Sequence, residues 1–308
     1  MQSTSGDMKK ILFASLLVGL MSCGGGSDDP GPTNPTDPEP TEESYVNCVL
    51  AGSNETLEIV TWNIENFPQS TSTAASVLQI IADTNPDVIA LQEITSQTAF
   101  AALLAELTGW SGVLEQFNGS NLMLGYLFKD SEVTVTQAAM NLYAEETDDN
   151  DFAFTSFRRP LFTTIEHTSG LEVSLINVHL KCCNGSEDRR RKASELLKTY
   201  IDTNLADDRV MILGDYNDEI IDAQDNVFQN FIDDAANYRF ATMDIAAGSN
   251  ANWSYPSWPS MIDNILITDE LFEDVVDTQV MKLDDCSNTY LNAVSDHRPV
   301  IINLRKTN

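Results

Sequence analysis

From residue 57 to its end the chain alternates short apolar, β-branched runs with stretches of helical spacing. Eight runs predict strands, at 57–62, 88–91, 123–128, 161–165, 173–178, 210–213, 264–267 and 300–304, because brief apolar segments bounded by turn formers fit strands buried in a sheet. Between them, 73–82 and 100–107 carry apolar side chains at helical spacing. Residues 188–201 set Ala193, Leu196, Leu197, Tyr200 and Ile201 on one stripe with basic residues opposite. Residues 147–151, Thr-Asp-Asp-Asn-Asp, read as an acidic loop. No internal repeat or second linker follows Glu43, so residues 44–308 predict one α/β domain large enough for a substantial core.

The segment ahead of that domain has a different composition. Met8-Lys9-Lys10 and the apolar run 11–20 have the charged and hydrophobic regions of a secretory signal, too short to span a bilayer comfortably. Leu20-Met21-Ser22-Cys23 resembles the lipobox of bacterial lipoproteins, in which the chain is cut before the cysteine and a diacylglycerol is attached to its sulfur. The resemblance implies a leader and signal peptide over 1–22, with residues 1–7 an upstream start, and Cys23 as the lipidated mature N-terminus. The alternative is an ordinary secretory signal with a chance cysteine. Residues 23–43 are Gly, Ser, Asp, Pro, Thr and Glu with almost nothing apolar, a composition that predicts a disordered tether. Ser27-Asp28-Asp29 resembles the acidic signal that directs some lipoproteins to the cell surface. The expected location is therefore outer-membrane or cell-surface, through a lipid anchor.

Export changes the reading of the cysteines. Cys48, Cys182, Cys183 and Cys286 remain after Cys23, an even number that favours disulfides. Three pairings are open. Adjacent Cys182-Cys183 lacks the ligand spacing of a zinc site and would be strained as a disulfide, so long-range bonds involving Cys48 and Cys286 are preferred.

Charge complicates the choice of substrate. A net charge of −30 repels polyanions, which argues against nucleic acid if taken alone. Yet Arg158, Arg159, Lys181, Arg189, Arg190, Arg191 and Lys192 cluster around His179. They are either a local basic strip or, for Arg189 to Lys192, the solvated face of a helix. Arg159 reads as solvated.

Several predicted strands run directly into polar residues: Thr61-Trp62-Asn63-Ile64-Glu65-Asn66, Leu91-Gln92-Glu93, Asn177-Val178-His179-Leu180 and Gly214-Asp215-Tyr216-Asn217-Asp218. A carboxylate or amide at a strand end is held rigidly yet can face a cleft, as a metal ligand or positioned base requires. Any one of them alone is ordinary turn chemistry. Together with Arg158-Arg159-Pro160, Asp263 and Ser295-Asp296-His297, they occur in the order found in the endonuclease/exonuclease/phosphatase superfamily. The resemblance covers nearly everything from Leu57 to Leu304.

That resemblance implies a DNase I-like four-layer sandwich, two mixed β-sheets flanked by helices, with the active site at one edge. It implies metal-dependent hydrolysis of phosphodiesters, with Glu93 as a ligand of Mg²⁺ and Asn63 and Asp296 beside it. Hard oxygen donors suit Mg²⁺ or Mn²⁺, and admit Ca²⁺. Asp215 would orient or deprotonate the water, and Asn217 would hold water or phosphate. His297, steadied by Asp263, would contact phosphate or move a proton, and His179 would stabilise or protonate the leaving group. Arg158 would grip a substrate phosphate. One departure stands out: the acidic partner expected for His179 on an earlier strand is missing from 117–128, where Asn121 could substitute. His167 reads as a hairpin residue.

The leading expectation is an extracellular nuclease acting as a monomer, with nucleic acid or a small phosphoester as substrate and no protein partner. The alternatives are a phosphomonoesterase or sphingomyelinase-like lipid phosphodiesterase, favoured by the acidic surface, and, from another class, a noncatalytic surface-binding module. Trp253, Tyr255 and Trp258 could stack on a base, line a headgroup pocket or plug a buried loop.

Overall fold

The computed structural model describes residues 44–307 apart from 49–52, 54, 117, 156 and 157. The leader, the tether and Cys23 lie outside the described residues. Among the described residues, twelve strands form two six-stranded sheets. In the first half of the chain β1 (Leu57–Phe67), β2 (Val88–Ile94), β3 (Trp110–Glu115) and β4 (Met123–Lys129) are interleaved with helices α1 (Thr73–Thr84) and α2 (Gln97–Glu106). Next come β5 (Val133–Asn141), α3 (Asp148–Phe154), β6 (Leu161–His167), β7 (Glu172–His179), α4 (Glu187–Asn204) and β8 (Val210–Asp215). The final strands are β9 (Tyr238–Phe240), β10 (Asp263–Thr268), β11 (Val275–Val280) and β12 (Val300–Leu304). One sheet runs β11-β12-β1-β2-β4-β3 and the other β5-β6-β7-β8-β10-β9.

Strand alternation divides the core. On β1, Leu57 and Ile59 join the interior between the sheets, while Val60, Trp62 and Ile64 pack with Val77, Ile80 and Ile81 of α1 and Phe100 and Leu103 of α2. On the other sheet, Ala193, Leu197 and Ile201 of α4 complete the main cluster. The architecture is the helix-flanked pair of mixed sheets that the motif resemblance implied.

A polar bridge ties the sheets together within this apolar interior. The Gln92 amide donates to Thr61 Oγ1 at 3.1 Å and to Asn177 Oδ1 at 2.8 Å. Asn177 Nδ2 in turn donates to the carbonyls of Leu91 at 3.0 Å and Gly125 at 3.1 Å. All three side chains are fully buried, so each bond lies where its loss would leave a desolvated group unpaired.

All eight predicted strands and three predicted helices are present, most with longer bounds, while β12 keeps its predicted bounds and α2 starts three residues earlier and ends one earlier. Strands β3, β5, β9 and β11 were not predicted. Residues 147–151 are not a loop: the Thr147 hydroxyl accepts from Asn150 N and caps α3, whose first turn carries Asp148, Asp149 and Asp151. Arg159 is not solvated. It is 1% exposed, with Nη1 on the carbonyls of Asn150 and Thr155 and Nη2 paired with Asp151. Cys48 and Cys286 form a disulfide, whereas Cys182 and Cys183 are thiols.

Candidate active site

Topology gathers the motif residues at one edge. Strands β1 and β2 are parallel, as are β7 and β8, so Asn63, Glu93, His179 and Asp215 all sit toward C-terminal ends. Strands β10 and β12 run antiparallel to them, so Asp263 at the start of β10 pairs with Asp215, and the 295–297 segment enters beside β1. The Ser295 hydroxyl donates to Asn63 O at 2.6 Å and accepts from His297 N at 3.0 Å, fixing that segment to β1.

Backbone geometry at this edge is unusual. Glu65, Asn66, Glu93 and Asn217 adopt left-handed φ values of 38°, 52°, 61° and 53°. Non-glycine residues held there carry strain that surrounding structure must sustain, which concentrates at functional sites. Gly214 (φ 148°) lets β8 close on β7: a Cβ there would fall 1.9 Å from Val178 O, next to both His179 and Asp215.

Hydrogen bonds join the motifs. Asn63 Nδ2 donates to Asp215 Oδ2 at 3.0 Å, and Asn217 N donates to Asp215 Oδ1 at 2.8 Å. Burial, and then the charge of Asp263, pushes the Asp215 carboxyl up to about 7. His297 Nδ1 lies 2.8 Å from Asp263 Oδ2, and its ring centroid is 4.9 Å from that of Tyr255. Burial opposes the His297 cation, yet the carboxylates of Asp263, Asp215 and Asp296 outweigh it and raise the imidazole to about 10. His297 is therefore a cation at neutral pH, with Nε2 3.8 Å from Asp296 Oδ1.

His179 is the opposite case. Its Nε2 sits 2.9 Å from Arg158 Nη1 and 3.6 Å from both Glu93 Oε1 and Asp215 Oδ2. Burial, and then the Arg158 charge, holds it well below the usual imidazole range, so it is neutral. A guanidinium can only donate, so Nε2 accepts and the proton rests on Nδ1. Among the described residues that Nδ1 is buried with no hydrogen-bond partner. Asn121 does not replace the expected acidic partner; it is exposed and lines a cavity beside Arg158.

The predicted ligands Asn63, Glu93 and Asp296 lie in this cluster. Glu65, within the first motif but unassigned from sequence, joins them: its Oε2 accepts from Asp296 N at 2.8 Å, and burial followed by the Asp296 charge raises its carboxyl. Asp215, Asp263 and His297 also bring three candidate donor atoms within 4.8 Å of one another. The site thus gathers five carboxylates against the His297 cation and Arg158, and Asp215 and Glu65, raised first by burial, are raised further by their neighbours Asp263 and Asp296. An all-oxygen set short of positive charge fits a hard divalent cation. Protonated His297, already bonded to Asp263, is a poor ligand, which leaves the Glu93 side as the better cradle. Tyr255 against His297 was foreshadowed only by the aromatic cluster. Trp253 donates to Ile245 O, and Trp258 is 78% exposed.

No match was found among curated proteins. Among solved structures, the chain is similar to the D. rerio TDP2 complexed with single strand DNA product, at a TM-score of 0.66 and 15% identity, over 82% of this chain and 99% of that one. It is also similar to an endonuclease/exonuclease/phosphatase from Bacteroides vulgatus (TM-score 0.63, 16% identity, 82% and 99% covered). A third is the Bacteroides thetaiotaomicron mannosyl-6-phosphatase (0.60, 12%, 81% and 100%). At these identities the likeness shows the fold. The model of the Endonuclease/Exonuclease/phosphatase family matches residues 60–297, from β1 through His297, and so takes in every motif of the site. The chain belongs to the Endonuclease/Exonuclease/phosphatase family, a family of phosphoester hydrolases.

Proposed function

We propose that this chain is a divalent-metal-dependent phosphodiesterase acting on nucleic acid. The observation that carries the reading is the pairing of opposite protonation states across a few ångströms: an Asp215 carboxyl poised near neutrality beside a His297 imidazolium held by Asp263. Hydrolysis of a phosphodiester needs a base for water and an acid for the leaving oxygen. Asp215, oriented by Asn63 and Asn217, takes the proton of the attacking water. His297 donates from Nε2 to the departing oxygen and recovers its proton from solvent, with Asp263 holding the ring. Neutral His179 serves in orientation rather than as an acid, since its Nε2 accepts from Arg158. Arg158 steadies a phosphoryl oxygen. Glu93, with Asn63, Asp296 and Glu65, would hold Mg²⁺ or Mn²⁺. The ion supplies charge neutralisation on the phosphoryl oxygens.

We also propose export and anchorage through Cys23. The Cys48–Cys286 bond supports an oxidising compartment.

The test is incubation of the mature chain with plasmid DNA, RNA, sphingomyelin and mannose 6-phosphate, with Mg²⁺ or with chelator. Chelator-sensitive cleavage of nucleic acid, lost in His297→Ala, is the expected result. Cleavage confined to the monoester or the lipid would move the substrate, and metal-independent turnover would remove the mechanism. Anchorage predicts incorporation of labelled fatty acid that Cys23→Ser abolishes.

A further inference from the structure

A cavity of about 420 Å³ lies next to the candidate site, with Arg158, Lys181 and Arg189 in its wall. Arg158 is shared: its Nη1 reaches His179 Nε2 on one side while its side chain lines the cavity on the other. All three residues are half-buried. Arg189 is fixed in place, with Nε donating to Phe152 O at 2.6 Å and Nη2 to Asp151 O at 2.9 Å. Lys181 Nζ lies 3.8 Å from Cys182 Sγ.

What sets these three apart is that they lack a carboxylate and line the same cavity. Among the described residues nine lysines and arginines hold a carboxylate within ion-pair distance: Lys129, Arg159, Arg190, Arg191, Lys192, Lys198, Arg209, Lys282 and Arg298. Arg239, Arg305 and Lys306 also lack one, but Arg239 and Lys306 donate to the carbonyls of Phe272 and Gly170, and none of the three lines this cavity. Among the described residues Arg158, Lys181 and Arg189 have no ion pair, and they face one cavity. Asp151, on the same wall, is already neutralised by Arg159. Three half-desolvated cations without counter-ions make a site for an anion, with a strength that water and the distant acidic surface do not fully screen.

We infer that this cavity binds a second phosphate of the substrate, next to the one being cleaved, and so selects nucleic-acid strands with at least two phosphates over isolated phosphodiesters. The inference rests on the phosphodiesterase reading above. Three cations at one cavity in a chain of net charge −30 accommodate a strand end rather than a long duplex, whose flanking phosphates would meet repulsion.

The experiment compares kcat/KM, with Mg²⁺, for a thymidine dinucleotide and the same dinucleotide carrying a 5′- or a 3′-phosphate. One phosphorylated form is expected to be preferred at least about tenfold, the ratio that ~1.4 kcal/mol represents. Lys181→Gln and Lys181→Gln/Arg189→Gln should pull that ratio toward one; the single variant guards against loss of the Arg189 contacts to α3. Equal rates on all three by the parent chain, or a ratio unchanged in the variants, would overturn the inference, as would preference for a sugar bisphosphate over every dinucleotide. Should no phosphodiester be cleaved, the phosphodiesterase reading fails. The cavity is then judged by calorimetric titration with an uncleavable phosphorothioate dinucleotide bearing the terminal phosphate: binding weakened about tenfold by Lys181→Gln supports it, and binding absent or unaffected sinks it.

Discussion

Asp263→Asn isolates the charge that maintains the His297 cation. The substitution keeps size and leaves an oxygen able to accept from Nδ1, 2.8 Å away, so the ring is held while the carboxylate is lost. With that carboxylate present, His297 is raised from the ordinary 6.5 to about 10 although burial works against it. That difference is worth ~5 kcal/mol in favour of the imidazolium at 1.36 kcal/mol per pH unit, a ceiling to which Asp215 and Asp296 also contribute. Without Asp263, burial acts with less opposition and the imidazole falls toward 6.5 or lower. At about pH 7.5 the protonated fraction drops to a tenth or less, and loss of the orienting charge adds to it, for a fall in kcat on the order of 10²- to 10⁴-fold. The assay is kcat and KM for bis(p-nitrophenyl) phosphate with Mg²⁺ across the pH range. Expected are an unchanged KM, the stated loss of kcat, and an alkaline limb displaced by several pH units toward acid. A folded Asp263→Asn enzyme within about threefold of the parent, or one whose alkaline limb has not moved, would refute the assignment of His297 as the acid.

Two further predictions concern stability. The Cys48–Cys286 bond spans 238 residues, so chain entropy predicts that its reduction costs ~5 kcal/mol; urea midpoints with and without reductant measure this, and a loss under about 1 kcal/mol would show that the termini are held by other means. Burial, and then Asp87, raises Glu58 from 4.5 to about 8. The folded chain keeps a proton that the unfolded chain has lost, so stability contributed by Glu58 is fully present below 4.5 and is lost as pH rises to about 8, at up to ~1.4 kcal/mol per unit. Glu58→Gln should flatten that slope, and an unchanged urea midpoint from acid to neutral pH in the parent would exclude the effect.

The four strands that hydrophobic patterning missed, β3, β5, β9 and β11, are the four sheet edges. Interior strands such as β8 are buried at every position and read as apolar runs, whereas β5 is exposed along most of its length and reads as Thr, Gln and Ala. An edge strand faces solvent, so its composition approaches that of a loop. The acidic segment 147–151 misled for a related reason: Thr followed by aspartates is equally the signature of a capped helix start. Within the site, residues on strand ends were legible because the strand itself fixes where they point. Glu65, the orphaned Nδ1 of His179 and the burial of Arg159 depend on neighbours brought from distant segments, and no local pattern encodes them.

Because β1 pairs with β12, the site is assembled from the two ends of the folded domain. Opening of that seam is therefore not a local event: parting β12 from β1 carries Asp296 and His297 away from Asn63, so a single excursion of one strand pair takes the site apart while the rest of both sheets can stay folded.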